Sequence, residues 1–436
     1  MSSLSVGGRA LLGRLLTPPY YLAIIEAMQL ISLWSLQWRV GPIPLGIALV
    51  GFLVTLGILL SRRATDLVKQ LTLLGFIGVV TVLPLVIIIV TRPHLGYTIE
   101  HDGLMQTESA IDRVLHGQRI YGVDWSQTPI GRFPWNLTPQ GNPALHHYAY
   151  YPLTVLSAIP FRIATLILHI PFDYRMVLIG FLAIGIAATA LLPIPAAGRM
   201  MVAIAVLIDP QVTTFFLMGR NDIAYLAMVL LTLALLARGR TALASLALGF
   251  GIALKPFALL VLPFLLLTIW LRWQGTPTSN RRREAMACVL ALLAPAVLTI
   301  APFFLADPGA FWRDTVLFTN GGIPDAYPIN GQGFSAILYS LRIITHRTDA
   351  FPFGLFQVAA MLPALWFGIR LIVRRPTLAS WVGAYTVLLF GFAFFSRFFN
   401  DNYAGDVIAL VLCIPALRGI PLIPIRSVSA ERREAA

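Results

Sequence analysis

Long apolar runs with few or no charges recur along this chain, with most polar residues in the intervals between them. The runs lie at 19–37, 42–61, 70–91, 174–194, 200–218, 221–237, 241–255, 257–272, 285–305, 353–373, 378–396 and 404–421. Each is near or somewhat below the length an α-helix needs to cross a bilayer, so the pattern predicts about twelve transmembrane helices. Two longer polar intervals, 92–150 and 306–352, interrupt them. The stretch "YPLTVLSAIPFRIATLILHI" (151–170) is apolar but broken by Pro160, with Arg162 at its centre. A lone guanidinium at mid-bilayer is costly, which predicts an interfacial or re-entrant helix there. In "GLMQTESAIDRVLHG", Leu104, Ala110, Ile111, Val114 and Leu115 recur at helical spacing and Gly117 suits a C-cap. This predicts an amphipathic surface helix over 103–116.

Composition agrees with the pattern. Of 436 residues, 58% are hydrophobic and 12% charged, and the mean hydropathy is +0.79. Soluble domains are about a quarter charged, so the chain reads as an all-α polytopic membrane protein. The net charge of +13 comes from arginines clustered at the ends of the runs: Arg9/Arg14, Arg62/Arg63/Lys69, Arg199, Arg238/Arg240, Arg272 with Arg281–Arg283, Arg370/Arg374/Arg375, and Arg418 with Arg426/Arg432/Arg433. No basic stripe of the kind that binds nucleic acid is present. If cytoplasmic loops carry the positive charge, twelve spans put every cluster and both termini inside, and the intervals 92–150 and 306–352 outside. Cys288 and Cys413 sit in apolar runs and read as small core side chains. No cleavable signal peptide is expected, because a second span follows the first at once. The organisation expected is two N-terminal helices (1–69), a main module (70–425) and a cytoplasmic tail (426–436).

Candidate chemistry gathers on the outer face. Asp102 opens the amphipathic helix, as an N-cap or as a general base whose pKa partial desolvation would raise. Glu108 and Asp112 read as a solvated face of that helix. Lys255, one of only two lysines, lies at the outer end of a helical hairpin, where the orientation rule does not expect a cation. It could bind an anion such as a phosphate or snorkel to the head groups. Arg220 in "GRND" and Arg397 in "FFSRFFNDNY" share that face and would complete a phosphate pocket, unless Asp222 and Asp401 simply neutralise them. In "HHYAYYPL", the cluster His146, His147, Tyr148, Tyr150 and Tyr151 suits sugar contacts, above all His146, His147, Tyr148 and Tyr151, although aromatics also belong to membrane interfaces. Two histidines without a third ligand at fixed spacing do not make a metal site, and no cofactor is expected. Asn136 opens a short "NLT" glycosylation acceptor. Glu26 and Asp209 are the acids expected to lie deep.

The order of these motifs resembles a known family. An outer-loop Asp, "AIDRVLHGQRIY", "HHYAYYPLTVLSAIPF" and, later, "GIALKPFALLVLP" are similar to the GT-C membrane glycosyltransferases. The closest likeness is to glycosyltransferase family 87, the bacterial polyprenyl-phosphate-mannose-dependent group. The resemblance covers about 70–420 and leaves out the first two helices. Ile120 stands where that family usually has Pro, and Leu153 follows a single Pro. The resemblance implies an extracytoplasmic active site in the bacterial cytoplasmic membrane. A lipid- or glycan-borne hydroxyl would be the acceptor, and a hexose, above all mannose, would be moved from a polyprenyl-phosphate donor with inversion. Asp102 would be the base, and Lys255, with Arg220 or Arg397, would hold the departing phosphate. Two readings of other kinds share the same spans: a transporter or flippase of a lipid-linked glycan, for which internal repeats and midplane polar groups would be expected, and a non-catalytic assembly subunit that would tolerate loss of Asp102.

Overall fold

A computed structural model describes residues 16–40, 42–95, 100–132, 141–208, 216–274 and 278–423. The clusters at Arg9/Arg14 and Arg426/Arg432/Arg433, the tail 426–436, the Asn136 acceptor and Asp209 lie outside the described residues.

Among the described residues, each apolar run is largely helical. The hairpin α1 (Pro18–Val40) and α2 (Pro42–Leu60) comes first. A continuous rod follows, made of α3 (Asp66–Ile77), a π-helical turn (Gly78–Val82) and α4 (Leu83–Leu95). The interval after it holds α5 (Asp102–Leu115), α6 (Pro152–Leu156) and α7 (Ile159–Leu168). Then come α8 (Arg175–Leu191), α9 (Ala196–Ala203) running into a π turn (Ile204–Ile208), α10 (Asp222–Ala237) and α11 (Thr241–Leu254). A 3-10 segment (Pro256–Val261) leads into α12 (Leu262–Trp273), followed by α13 (Thr278–Thr299), α14 (Ala301–Ala306) and α15 (Pro308–Trp312). The chain closes with α16 (Phe334–Ser340), α17 (Phe353–Arg374), α18 (Leu378–Phe394) and α19 (Asp401–Cys413). Among the described residues, Asp66–His94, Pro256–Trp273 and Phe353–Arg374 are long and apolar enough to cross a membrane. The chain is a mostly helical membrane protein.

Packing explains which helix is central. On α10 every residue from Asp222 to Leu230 is buried. A helix apolar all round is at home either in lipid or inside protein, and here protein surrounds it: α10 lies against α8 and α11, while α11 packs on α13. At the periphery, α17 turns Leu355, Leu362 and Trp366 outward, an apolar exterior suited to lipid. The α1–α2 hairpin packs against α9, the π turn after it, and α3, and the Tyr21 hydroxyl donates to the Leu412 carbonyl at 2.9 Å. Glu26 on α1 is fully buried.

Two sequence expectations need correction. The run boundaries leave 273–284 as a basic interval between two helices, but α13 already begins at Thr278. Its charged first turns extend the helix, and Glu284 accepts hydrogen bonds from Thr241 Oγ1 at 2.5 Å and Trp273 Nε1 at 2.9 Å. The helix expected at 103–116 starts one residue earlier, with His101 in extended conformation (φ −85°, ψ 144°) at its N-cap. Asp102 is therefore the first helical residue rather than the cap.

Candidate active site

One end of the bundle opens into a cavity of about 310 Å³, lined by the start of α5, the 219–222 link into α10, the end of α11, the end of α18 and the start of α19. Asp102, His147, Tyr151, Arg220, Lys255 and Arg397 all reach it, with His101, Tyr150, Asp222, Asn402 and Tyr403. His146 and Tyr148 do not line it. His146 is exposed beside Asp124, and Tyr148 is fully buried behind the wall, within 3.3 Å of Thr107.

The position of Asp102 follows from close backbone packing. The His101 N–H donates to the Met218 carbonyl at 2.9 Å, tying the start of α5 to the link before α10. Gly219, in the left-handed region (φ +84°), makes room for Leu104, whose Cδ1 would lie 2.0 Å from any added Cβ. Gly103 lets the Tyr150 hydroxyl approach in the same way, 1.9 Å from where a Cβ would stand. The Gly103 N–H donates to Asp102 Oδ1 at 2.7 Å, and His101 Nδ1 lies 2.9 Å from the same oxygen. Burial pushes the Asp102 carboxyl up. The His101 ring and its hydrogen bond, the Gly103 N–H and the charge of Arg220 outweigh burial and hold it below the usual carboxylate range. The raised pKa expected from the sequence is thus reversed, because every donor around the group favours the anion. Burial, and then the charge of Asp102, pushes the Tyr150 hydroxyl well up, so it remains a donor.

The cations are arranged differently from one another. Lys255 Nζ forms an ion pair with Asp222 Oδ1. It also sits over the rings of Tyr225, Phe257 and Tyr403 at 5.3, 4.9 and 5.0 Å, a three-sided cation–π cage. Asn402 Nδ2 donates to the second Asp222 oxygen at 2.9 Å. Arg220 Nη1 reaches Asp401 Oδ1 at 3.0 Å and Asn402 Oδ1 at 2.8 Å. Asp222 therefore neutralises Lys255, and not Arg220 as its place in "GRND" suggested. Arg397 has no carboxylate among these partners: its guanidinium donates to the carbonyls of Tyr327 (2.6 Å), Asp349 (2.9 Å) and Arg347 (3.2 Å). It ties down the 327–349 segment, next to the two-residue parallel ladder that pairs β1 (Asn330–Gly331) with β2 (Phe398–Phe399).

His147 closes another wall. Its Nδ1 lies 2.9 Å from Asp314 and its Nε2 2.9 Å from Asp325. A neutral imidazole has a single N–H and cannot donate to both. Burial pushes the ring down, but the two carboxylates outweigh it and raise its pKa. Stability from this bridge is complete below the ordinary imidazole range and is lost as pH rises through the raised value. The gain in thermal midpoint of wild type over His147→Gln should therefore be widest at or below the ordinary imidazole pKa of about 6.5 and shrink as the pH rises above it. A gap that stays constant would remove the imidazolium bridge.

The rear of α5 corrects the reading of Glu108 as solvated. Glu108 accepts a forked pair of hydrogen bonds from Arg92, both 2.7 Å, and one from the Tyr174 N–H at 2.9 Å. Arg92 also meets Glu100 (2.9 Å) and Asp173 (2.8 Å). Asp112 pairs with Arg162 at 2.8 Å, which joins α7 to α5. Sequence reasoning gave no site role to His101 or Asn402. The available signal was that each stands next to, or one residue from, a residue already singled out.

One end of this helical membrane protein thus brings a carboxylate and two paired cations around one cavity. Residues 148–396 match the description of glycosyltransferase family 87. The match spans more than half of the chain, and the protein belongs to that family. It is a glycosyltransferase. The match includes Tyr148, Tyr151, Arg220 and Lys255, whereas Asp102, His146, His147 and Arg397 fall outside it. No curated protein and no solved structure matches the chain.

Proposed function

We propose that the protein moves a hexose, mannose in the first instance, from a polyprenyl-phosphate donor to a hydroxyl of a lipid or glycan acceptor, with inversion. What carries this reading is that one cavity is lined both by an ionised carboxylate, Asp102, and by two cations, Lys255 and Arg220. Asp102 takes the proton of the acceptor hydroxyl. That oxygen forms the new bond to the anomeric carbon as the bond from this carbon to the phosphate oxygen breaks. The charge that develops on the departing phosphate falls to Lys255 and Arg220. Tyr150 and Tyr151 are suited to sugar contacts, and His147 holds their loop. Arg397, whose donors are engaged by carbonyls, acts as a clamp on the wall rather than on the phosphate. The test is incubation of the purified protein with radiolabelled polyprenyl-phosphate hexoses and an extracted lipid pool. Label should pass from the donor to an acceptor, and a pool that stays unlabelled with every hexose overturns the donor class.

The same reading has twelve spans, both termini in the cytoplasm, the α1–α2 hairpin as an addition to the main module, and the cavity on the outer face of a bacterial cytoplasmic membrane. It draws on the placement of the arginines and on the Arg162–Asp112 pair, which suits an interfacial α7 beside α5. A cysteine at Gly141 should react with an impermeant thiol reagent in intact cells. Labelling only after lysis would reverse the orientation.

A further inference from the structure

We propose that a second cavity, at the opposite end of α8 from the candidate active site, binds the phosphate headgroup of an anionic membrane phospholipid. Tyr174, just before α8, lines the first cavity, whereas Thr189 and Ala190 near its end line the second. The two sites are about 24 Å apart along that helix. The second cavity, about 250 Å³, lies between α3, α8 and α9, and its walls are apolar: Leu71, Leu74, Ile186 and Leu207 among them. Arg199 is the one charged residue among its described lining residues. The Nε of Arg199 is buried and meets no hydrogen-bond acceptor among the described residues. Buried donors are almost always satisfied, so the cavity is short of an acceptor, and a phosphate fits a guanidinium well.

The surroundings select the kind of anion. Leu67, Leu71 and Leu74 line the cavity and are also exposed at 64%, 57% and 43%. An apolar path therefore leads from beside the guanidinium to the exterior of the bundle, as an acyl chain requires. Arg62 and Arg63 are exposed just before α3, and Lys69 follows in its first turns. Cations of this kind near a membrane surface each favour an anionic lipid and disfavour the ammonium of a zwitterionic one. The site is independent of the glycosyl-transfer reading.

Native mass spectrometry of the full chain, with phosphatidylglycerol or phosphatidylcholine added, tests the proposal. Wild type should retain phosphatidylglycerol about tenfold better than phosphatidylcholine. Arg199→Gln should lose that preference and Arg199→Lys should keep part of it. Leu71→Trp, which fills the cavity from its exposed side and leaves Arg199 in place, should lose the bound lipid. Should Arg199→Gln not fold, Leu71→Trp alone decides. Equal retention of the two lipids by wild type, or undiminished phosphatidylglycerol in the folded variants, overturns the site.

Discussion

Asp102→Asn should retain the fold and lose transfer. The substituted amide keeps an acceptor oxygen for the Gly103 N–H, which lies 2.7 Å from Asp102 Oδ1, and stability should change by about 1 kcal/mol or less. What it cannot keep is a carboxylate able to take a proton, and removing a general base typically costs about a hundred- to ten-thousand-fold in rate. Donor binding should persist, because Lys255 and Arg220 are untouched. The control is Asp112→Asn, which breaks only the partly exposed pair with Arg162 and should leave transfer near wild type. The lowered pKa of Asp102 adds a pH signature: the carboxylate stays ionised down to the lower end of its range, so the acid limb of the wild-type profile attributable to it should lie below about pH 4. Transfer by folded Asp102→Asn at near wild-type rate would leave Asp102 with a structural role alone.

Lys255→Ala should weaken donor binding by roughly ten- to a hundredfold, the worth of a charge-assisted contact, and Lys255→Arg should do so less. The structure adds a complication. Removing Lys255 leaves Asp222 buried without its cation, and breaking a buried pair from one side costs about 3–5 kcal/mol. A lost activity in Lys255→Ala could then reflect a damaged fold. The double variant Lys255→Ala/Asp222→Asn separates the two: the amide can still bond Asn402, so thermal stability should return toward wild type while donor binding stays weak. If the double variant binds the lipid donor as wild type does, Lys255 is a partner of Asp222 and nothing more.

The sequence by itself determined the helices and the end of the molecule where chemistry-bearing residues accumulate. Those properties are local: a run of about twenty apolar residues has no alternative in lipid but helix, and an Asp or Lys placed just beyond such a run must sit near its end. Even there the register was off by one at Asp102, because a His–Asp pair offers two side chains for one cap. Partners were decided only by tertiary structure. Asp222 lies two residues from Arg220 yet meets Lys255, 33 residues away, because residues that follow one another at the start of a helix point in different directions. Glu108 looked solvated because its helix alone offers it water, whereas Arg92, Asp173 and the Tyr174 N–H arrive from α4 and the start of α8. The pKa of Asp102 had the wrong sign for a more local reason. Burial was foreseeable from its place at the end of an apolar run, but the His101 ring and the Gly103 N–H, its own chain neighbours, outweigh burial, and Arg220 from the 219–222 link adds the smaller part; these groups face the carboxylate only once the first turn of α5 has formed and packed on the start of α10.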